Sequence, residues 1–517
     1  MVNRWRLPES QAPDLLKQIL ENRAYTSDFL GNTIYDLPDE SLLAGIREVA
    51  GRLQEALYNN EPLVIFGHDD PDGITSTYIL YQFLNSCGYQ KHVYYIPNRN
   101  IEPHGIQASL VEFVRHGGYK LVITVDNGIS AAEGVKALNK LGVEVLVTDH
   151  HLIQPDQLPP AYAILNPQLA HCEYPYKALA GVGVVLLLIR YLSKALEHEV
   201  PRSAYFWTAV GSLADKVPMT GVNRILVRDV IDHWDKISDN TIDFLLRNYP
   251  RVDSPTTVFN FIQNTSRLIA NGREEGGQHT AIRFMLELSD AKADLFQELE
   301  RQKNSWEQEL NKVFNFMDRL LSGYSGQAFV YYDDDDMISY SLLGTAATYV
   351  VNNLGIPAIM LKLHNGALVC EGRCGEGFNM VAAFTHCKAY LNQFGGHVKA
   401  AGFSMKPENY DDFLNCFNDY LSMHQVSEDD LEKRLIDASL KLEDLNAENW
   451  QKLEQLLPWG MQNPEPVLLL SPCSLMDIQS RFMLDNNSVP VREQKNCQFI
   501  INWKSPNLIR ILDFYEA

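Results

Sequence analysis

Val64-Ile-Phe-Gly-His-Asp-Asp-Pro-Asp-Gly-Ile-Thr-Ser76 joins a short apolar run to a group of acidic side chains, which a second apolar run follows. This order predicts a buried strand, a tight loop and the start of a helix. The loop would hold three carboxylates and the imidazole of His68 within five residues, and a divalent cation would relieve the repulsion between them. A helix cap in an acidic turn would explain any one of these residues. The metal interpretation therefore depends on matching ligands elsewhere in the chain.

The overall composition is that of a globular protein with an acidic balance. The chain has 517 residues, 46% of them hydrophobic and 21% charged, and its formal net charge is −21. A chain of this length usually forms about two to four domains. The negative charge argues against a broad basic surface for duplex nucleic acid, but it is compatible with a narrow basic channel.

The cysteines and the apolar runs indicate where the protein functions. The eight cysteines include no CxxC pair and no disulfide framework, which predicts reduced, mostly structural thiols. No apolar run is long enough to span a bilayer, and residues 1–6 lack the apolar core of a signal peptide. We therefore expect a cytoplasmic protein.

Predicted strands and helices alternate between residues 61 and 165. Apolar runs at 63–66, 92–96, 121–125 and 143–148 predict strands, and the segments between them have helical periodicity. This alternation predicts a parallel sheet, in which ligands bind at the carboxyl ends of the strands. Asp126 follows the third strand, and Asp149, His150 and His151 follow the fourth. Asp215 ends a later apolar helix, where a buried carboxylate would need a partner.

A long helix and a second α/β unit are predicted next. Residues 290–321 interleave charged and apolar residues without Gly or Pro, which fits a helix that connects two lobes. In the second unit, the paired glycines of Gln393-Phe-Gly-Gly-His-Val-Lys-Ala-Ala-Gly402 could present backbone N–H groups to an anion. We interpret the acidic run 333–336 as a solvated loop rather than a metal site.

The C-terminal residues have short predicted strands that would fit a small β-barrel. The fold class is therefore α/β, with a parallel-sheet domain, a smaller α/β domain and a β-barrel. The predicted bounds are 1–285 for the parallel-sheet domain with its N-terminal helices, 286–323 for the connecting helix, 324–426 for the smaller α/β domain and 427–517 for the barrel.

The candidate metal ligands share a position at the end of a strand or helix, so that all can converge on one edge of the sheet. They are His68, Asp70, Asp72, Asp126, Asp149, His150, His151 and Asp215. Mixed carboxylate and imidazole ligands suit Mn²⁺ or Mg²⁺, and the histidines favour Mn²⁺. Because the carboxylates exceed the needs of one ion, two ions bridged by a shared Asp fit better. Such sites promote in-line attack of water on phosphorus.

These motifs together resemble the DHH superfamily of phosphoesterases, and specifically the RecJ-like single-strand exonucleases. The resemblance is carried by Val125-Asp-Asn-Gly128, Thr148-Asp-His-His151, Ile164-Leu-Asn-Pro167, Leu179-Ala-Gly-Val-Gly183 and Val210-Gly-Ser-Leu-Ala-Asp215. Gly395-Gly-His-Val-Lys-Ala-Ala-Gly402 resembles the signature of the DHH-associated domain, and Pro458-Trp-Gly-Met-Gln-Asn-Pro-Glu-Pro466 resembles the entrance to the family's OB-fold. The resemblance implies that the three predicted domains are a DHH domain, a DHH-associated domain and an OB-like domain.

The resemblance also implies a role for each candidate residue. One ion would be held by His68, Asp72 and Asp126. The other would be held by Asp70, Asp126, His150 and Asp215, with Asp126 bridging and Asp149 orienting or supplementing the ligands. His151 would contact the scissile phosphate as a donor or general acid. The substrate would be bound by Arg373 and the loop of Gly395, Gly396 and His397, and by Arg99 and Arg273. Bacterial members usually have Asp where His68 stands, so the metal preference is expected to differ there.

The function implied is that of a metal-dependent exonuclease that degrades single-stranded DNA, 5′ to 3′, in DNA repair or recombination. By the same resemblance, a single-strand-binding protein or a helicase would be a partner. A phosphodiesterase or phosphatase for short oligonucleotides or small nucleotides is the first alternative, which the acidic net charge favours and the third domain opposes. A non-catalytic replication scaffold is the second alternative, which the complete ligand set opposes.

Overall fold

The computed structural model describes residues 5–26, 28–98, 105–153, 158–275, 277–364, 366–375, 377–424, 433–486, 488–489 and 496–516. The chain divides into two compact units. The larger unit comprises Pro8–Lys303 and Asp437–Ala517, and the smaller unit comprises Met1–Leu7 and Asn304–Ile436. The domain bounds predicted from the sequence stay predictions. Among the described residues, no helix is both long and apolar enough to cross a bilayer.

The chain begins with β1 (Trp5–Arg6), which belongs to the smaller unit, and continues in the larger unit with α1 (Leu15–Asn22), α2 (Asp28–Gly31) and α3 (Ile46–Asn59). Helix α3 is amphipathic and buries a stripe of Ile46, Val49 and Leu53 in the core. The N-terminal helices expected for the parallel-sheet domain are present.

A parallel sheet forms the centre of the larger unit. Its elements in chain order are β2 (Leu63–Phe66), α4 (Pro71–Ser86), β3 (His92–Tyr95), α5 (Ala108–Gly117), β4 (Leu121–Val125), α6 (Ala132–Lys140), β5 (Glu144–Thr148) and β6 (Ala163–Leu165). The strand order is β3-β2-β4-β5-β6, and every neighbouring pair is parallel. The predicted parallel sheet is therefore confirmed, and its strand order places the ends of β2, β4 and β5 side by side.

A group of helices follows the sheet in the chain, and its first member packs against β4 and β5. The group contains α7 (Gly181–Leu196), α8 (Arg202–Ala214), α9 (Gly221–Asp232), α10 (Asn240–Asn248) and α11 (Pro255–Ile269), followed by the hairpin β7 (Glu274–Glu275) and β8 (Gln278–His279) and by α12 (Thr280–Leu286). Helix α7 is apolar on all sides and is buried through most of its length, as expected for a helix inside the core. Helices α4, α7 and α8 pack on one another.

The long helix α13 (Ala291–Leu321) contains the boundary between the two units. The smaller unit continues with β9 (Phe329–Asp333), α14 (Leu343–Leu354), β10 (Ala358–His364), β11 (Ala367–Arg373), α15 (Met380–His386), β12 (Gln393–His397), β13 (Ala400–Met405), α16 (Tyr410–Met423) and β14 (Arg434–Leu435). Its main sheet has the order β12-β13-β11-β10-β9, and β12 is an edge strand.

Two predictions for the smaller unit need correction. The glycine-rich stretch at Gly395, Gly396 and His397 is not a loop, because it forms β12 and pairs antiparallel with β13. The acidic run is only partly solvated, because Asp333 is buried at the end of β9. Its carboxylate accepts hydrogen bonds from the backbone of Met337 and Ile338 and pairs with Lys362 at 2.8 Å.

The C-terminal segment of the larger unit is a mixed sheet with short helices. It contains β15 (Ala438–Leu440), α17 (Ala447–Glu454), β16 (Val467–Cys473), α18 (Leu475–Gln479), β17 (Met483–Leu484), β18 (Cys497–Ser505) and β19 (Leu508–Glu516), in the strand order β15-β16-β18-β19-β17. Its core is formed by side chains such as Leu468, Phe499 and Ile511.

Candidate metal centre

The predicted ligands of the larger unit meet at the carboxyl edge of the parallel sheet. They form three overlapping groups whose ligand atoms lie within 4.8 Å of one another. The groups are His68, Asp70 and Asp126; Asp72, His150 and Asp215; and Asp126, His150 and His151. The strand order explains this convergence, because the loops that follow β2, β4 and β5 leave the sheet at adjacent positions.

Asp70 and Asp72 are fixed by the start of α4. Asp70 caps the helix, with Oδ1 accepting a hydrogen bond from the backbone N–H of Gly73 at 2.9 Å. Its Oδ2 lies 3.0 Å from Nδ1 of His68. Asp72 lies in the first turn and accepts hydrogen bonds from the N–H groups of Gly181 and Val182, at 2.7 and 2.8 Å. The N-terminus of α7 therefore orients the carboxylate of Asp72.

Asp126 lies between the two outer groups. Its backbone adopts the left-handed conformation, with φ of 60°, immediately after β4. Its Oδ2 lies 3.8 Å from Nδ1 of His68, and its Oδ1 lies 3.2 Å from Nε2 of His150. This position suits a carboxylate that two ions would share.

The observed grouping differs from the one that the resemblance implied. Asp70, rather than Asp72, lies with His68, and Asp72, rather than Asp70, lies with His150 and Asp215. Oδ2 of Asp72 is 3.9 Å from Nε2 of His150, and Oδ2 of Asp215 is 3.7 Å from the same atom. The observed grouping differs from the predicted one because the carboxylate of Asp72 is directed towards α7 and α8, whereas that of Asp70 caps its own helix.

Glycines allow the helices to approach these carboxylates closely. A Cβ on Gly181 would lie 2.6 Å from Cβ and Oδ1 of Asp126. A Cβ on Gly211 of α8 would collide with Oγ1 of Thr75 and lie 3.2 Å from Oδ1 of Asp72. Both positions therefore require glycine for steric reasons. The sequence prediction assigned no role to either glycine, although both lie in the motifs that carry the resemblance.

The electrostatics of the site favour a cation. Burial raises the pKa of Asp72 to about 7, and the charge of Asp70 contributes to this rise. Burial also raises the pKa of Asp215 to about 7, and it raises the pKa of Asp126 well above its ordinary value, with the charge of Asp72 adding to the effect. The buried atoms Asp126 Oδ1 and His150 Nε2 have no hydrogen-bond partner among the described residues.

Unpartnered buried polar atoms and crowded carboxylates are costly unless a ligand compensates them. Burial lowers the pKa of His150, which keeps its imidazole neutral as a metal ligand must be. Oxygen and imidazole donors in this arrangement match Mn²⁺ and Mg²⁺. The residues present therefore fit divalent cations.

Asp149 and His151 form a separate pair at the edge of the site. Oδ1 of Asp149 accepts a hydrogen bond from Nδ1 of His151 at 2.7 Å, and Oδ2 accepts one from the backbone of Ile129 at 2.9 Å. This hydrogen bond to Asp149 raises the pKa of the half-exposed His151 to about 9. Burial alone would raise the pKa of Asp149, but the bonds from His151 and Ile129 lower it below its ordinary value. Asp149 thus orients His151.

The β4 loop contains a residue that the sequence prediction missed. Asn127 donates from Nδ2 to the backbone oxygens of Val125 and Phe66, at 3.0 and 3.4 Å, and its own carbonyl accepts a hydrogen bond from Oγ1 of Thr124. These bonds join the ends of β2 and β4 and hold Asp126 in its left-handed conformation. The only sequence signal for this role was the Asp-Asn-Gly turn itself.

The C-terminal segment contacts the chain a few residues after Asp215. The backbone N–H of Met219 donates to the carbonyl of Met461 at 2.8 Å, and a Cβ on Gly460 would lie 2.5 Å from Cγ of Met219. Nearby, the buried guanidinium of Arg224 donates to the carbonyls of Gln455 and Leu457. The motif at 458–466 therefore packs directly against the segment that follows Asp215.

A cleft of about 380 Å³ opens beside the site. Its walls include His68, Asp126 and His151, together with the turn residues Gly128 and Ser130. The cleft leads to Asp126 and to the exposed part of His151.

The predicted substrate-binding residues lie in different places. Arg373 ends β11, where its guanidinium donates to Glu371 at 2.8 Å and to the carbonyl of Gly372 at 2.9 Å. Arg273 is exposed beside the β7–β8 hairpin, and its carbonyl accepts a hydrogen bond from Thr280. Arg99 lies outside the described residues. Gly395, Gly396 and His397 are exposed on β12.

Three protein-family models match successive parts of the chain. The DHH family, N-terminal domain matches residues 62–210, the DHHA1 domain matches residues 326–423, and the RecJ OB domain matches residues 436–499. The first match contains the metal-centre residues up to His151, and the second contains Arg373 and the glycines of β12.

Several curated proteins named single-stranded-DNA-specific exonuclease RecJ are similar to the chain. The protein from Bacillus subtilis is 29% identical over 463 residues, which cover 87% of this chain and 57% of that protein. The protein from Haemophilus influenzae is 28% identical over 470 residues, which cover 84% of this chain and 79% of that protein. The chain thus spans little more than half of the Bacillus protein.

Solved structures are also similar. A crystal structure of RecJ from Thermus thermophilus in complex with Mn²⁺ matches 99% of this chain and 80% of that chain, with a TM-score of 0.75 at 22% identity. A crystal structure of exonuclease RecJ bound to manganese matches 75% of this chain and 98% of that chain, with a TM-score of 0.60 at 26% identity. The fold and the order of the matched domains agree with the resemblance seen in the sequence, and the chain contains, in this order, regions that match the DHH, DHHA1 and RecJ OB domain models.

Proposed function

We propose that the protein is a metal-dependent exonuclease that hydrolyses phosphodiester bonds of single-stranded DNA. The observation that carries this proposal is the cluster of buried carboxylates and imidazoles around Asp126, which fits divalent cations and opens to a cleft. The names of the relatives support the choice of a single-stranded substrate. A role in DNA repair or recombination would follow from this activity.

Two divalent ions are proposed, with Mn²⁺ preferred over Mg²⁺. His68, Asp70 and Asp126 would hold one, and Asp72, His150 and Asp215 would hold the other, with Asp126 shared. Lewis-acid activation of water and of the phosphoryl group is the chemistry that bound ions supply. Gly181 and Val182 hold Asp72 in place, and Asn127 holds the turn that carries Asp126.

His151 is proposed to donate a hydrogen bond or a proton to the substrate. Its Nδ1 is engaged by Asp149, so Nε2 is the nitrogen that can act on a phosphate oxygen or on the leaving oxygen. With a pKa of about 9, the imidazole carries a proton at neutral pH. The pair resembles other acid–base arrangements in which a carboxylate orients a histidine.

Arg373 and His397 are proposed to bind the terminal phosphate, with the backbone of Gly395 and Gly396 beside it. Both side chains belong to one row of the smaller unit's sheet, since Arg373 pairs with Ala400 and Ala400 pairs with His397. Binding of a 5′ phosphate here would set the direction of digestion as 5′ to 3′. Arg99 and Arg273 would add weaker contacts to the strand. A helicase or a single-strand-binding protein would act as a partner by supplying an unpaired strand.

A labelled-strand assay tests the proposal. The purified chain is given Mn²⁺ and one of four substrates, which are a 5′-labelled single strand, a 3′-labelled single strand, a duplex and dinucleotides. We expect loss of the single strands, with mononucleotides released first from the 5′-labelled one, and little loss of the duplex. Hydrolysis of dinucleotides alone would reject the proposal in favour of a small-nucleotide phosphodiesterase.

A further inference from the structure

On the face that carries α14, the sheet of the smaller unit is uncovered at its β12 edge, whereas α15 packs against β12 and β13 from the other face. Helix α14 packs against β10 and β11. The edge strand β12 is exposed along its whole length, and alternate residues of β13 are half-buried. An open sheet surface of this kind, made from β11, β13 and β12, can receive a ligand.

The register aligns small residues across this open surface. One row consists of Glu371, Gly402 and Gly395, and the next row consists of Val369, Ser404 and Gln393. Two glycines thus lie side by side on neighbouring strands, which leaves a flat area of backbone. These two rows line a cleft of about 310 Å³.

Tyr340 forms an aromatic wall of the same cleft. Its side chain is 50% exposed. The ring stacks on the imidazole of His364 with a centroid distance of 4.5 Å and an interplanar angle of 5°. This stacking holds the orientation of Tyr340, whereas its exposed surface stays accessible to a further planar group.

Gly395 is not required by the packing of the chain itself. A Cβ at this position would meet no heavy atom within 4 Å, and its φ is not in the left-handed region. This differs from Gly402, whose Cβ would lie 2.9 Å from the carbonyl of Cys370. The space above Gly395 is therefore free for a ligand that approaches the backbone closely.

This cleft differs from the proposed phosphate site in the charge of its lining residues. Among its described lining residues there is no Lys, Arg or His, and Glu371 is the charged member. Because Glu371 is paired with Arg373 at 2.8 Å, the lining offers a phosphate no positive charge, whereas an uncharged planar group with polar edges could use Gln393 and Ser404. His397 follows Gly395 by two strand positions, a separation of about 7 Å. A phosphate at His397 would therefore place the adjoining nucleoside beside Gly395.

We propose that the cleft between Tyr340 and the Gly395–Gly402 pair binds a nucleobase of the substrate strand, with Tyr340 as the stacking surface. This inference rests on the proposed function and deepens it, because it gives the smaller unit a base-binding site in addition to a phosphate-binding one. Stacking accepts any base, so the site adds affinity without sequence preference. His364 is a positioning residue for Tyr340.

The test combines protein variants with abasic strands. Dissociation constants are measured for a 5′-phosphorylated strand of about 12 nucleotides, a length in the range of single-strand binding sites. They are also measured for four abasic versions of this strand, each of which lacks the base at one of the first four positions. The Asp126→Asn background with Mn²⁺ is used to limit hydrolysis. Tyr340→Ala and Gly395→Val are compared with the unsubstituted background, and Tyr58→Ala, which removes an exposed tyrosine of the larger unit, is the control.

We expect Tyr340→Ala to weaken binding of the normal strand by roughly tenfold, on the scale of one lost base stack. For one of the four abasic strands, we expect Tyr340→Ala and the background to have the same affinity, because that strand lacks the base that would stack on Tyr340. Tyr340→Phe should recover the affinity that Tyr340→Ala loses. Gly395→Val should reproduce the loss by filling the cleft, which covers the case in which Tyr340→Ala does not fold.

The possible failures can be told apart. If the wild-type chain neither degrades nor binds a single strand, the proposed function falls and the base site falls with it. If the wild-type chain degrades the strand, but Tyr340→Ala and Gly395→Val keep the affinity of the background for normal and abasic strands alike, only the base site is rejected.

Discussion

Oδ1 of Asp126 lies 3.2 Å from Nε2 of His150, and neither buried atom has a hydrogen-bond partner among the described residues. Two such atoms facing each other without a compensating bond are unfavourable in a closed core. They are well placed, however, to bind the same cation. This pair is where the two outer ligand groups meet, so changes at Asp126 should affect both.

Asp126→Asn should reduce Mn²⁺ affinity and hydrolysis by more than about a hundredfold, since even the loss of an outer partner of a metal ligand costs about 10- to 100-fold. Asparagine keeps the shape of the side chain and tolerates the left-handed backbone at this position. Isothermal titration with Mn²⁺ and a strand-degradation assay would measure the two losses.

Asp69→Asn provides the matched control for Asp126→Asn. It removes the same charge from the same site region, but Asp69 belongs to none of the three ligand groups. Metal affinity should change by no more than a few-fold. Wild-type activity in Asp126→Asn would reject the shared-ligand assignment.

His68→Asp should shift the metal preference towards Mg²⁺. A carboxylate is a harder ligand than imidazole, and Mg²⁺ prefers oxygen donors. His68 belongs to the group that contains Asp70 and Asp126, so the substitution changes one ion's ligands and leaves the other group intact. The ratio of the rates in Mg²⁺ and Mn²⁺ is the measurement. An unchanged ratio, with binding of both metals retained, would show that His68 does not set the preference.

The metal-free protein should lose stability as the pH rises from about 4 to about 7. Burial raises the pKa of Asp72 and Asp215 to about 7, whereas an unfolded Asp titrates at about 3.9. The folded state therefore binds more protons than the unfolded state in this range. The contribution of these carboxyls to the free energy of unfolding is fully present below about pH 4 and is lost as the pH rises through about 7. Thermal unfolding in EDTA should give a lower Tm at about pH 8 than at about pH 5.

Mn²⁺ should raise the Tm more at about pH 8 than at about pH 5, because in the more acidic solution protons must leave the carboxylates before the ion can bind. The double variant Asp72→Asn, Asp215→Asn should flatten the pH dependence in EDTA. If the slope persists in that variant, other groups cause it.

Gly181→Ala should disturb the metal centre, and Gly183→Ala should not. The new Cβ would lie 2.6 Å from Asp126 at the first position, but at the second it would meet only Leu179, at 3.4 Å or more. Overpacking of this kind costs about 1–3 kcal/mol of unfolding free energy. Both residues lie on α7, which makes the second variant a control for helix propensity. Urea denaturation and Mn²⁺ titration of the two variants are compared.

Asp333→Asn should lower the free energy of unfolding by about 2–3 kcal/mol, because it leaves the buried Lys362 with a weaker partner. Asp334→Asn, one residue further along the same acidic run, should have an effect below about 0.5 kcal/mol because Asp334 is exposed. Equal effects of the two substitutions in urea denaturation would contradict the buried ion pair.

The strands of the parallel sheet could be predicted from sequence because their signal is local. Leu63–Phe66 and Leu121–Val125 are apolar runs bounded by turn residues, and the observed bounds equal the predicted ones. Their order in the sheet then brings His68, Asp126 and His150 together. The convergence of the site thus follows from connectivity alone.

The parts that could not be predicted depend on contacts that are distant in the sequence. Nothing around Asp72 indicates that Gly181 and Val182 donate to it, and these bonds decide which ligand group it joins. Asp333 is likewise indistinguishable from its acidic neighbours in sequence, because only the fold shows that it is the buried partner of Lys362 whereas Asp336 is an exposed one. Hydrogen bonds between remote residues leave no periodic pattern for a sequence to display.

The contact between Met219 and Met461 has a consequence for how the chain can be divided. A protein cut after residue 436 would keep the complete set of candidate ligands, yet it would lose the backbone acceptor of Met219 and carbonyls that Arg224 uses. The buried guanidinium of Arg224 would keep the carbonyl of Phe29 as an acceptor but lose those of Gln455 and Leu457. The C-terminal segment is therefore part of the structure that surrounds the candidate metal centre, and an isolated N-terminal fragment would be a poor substitute for the whole chain.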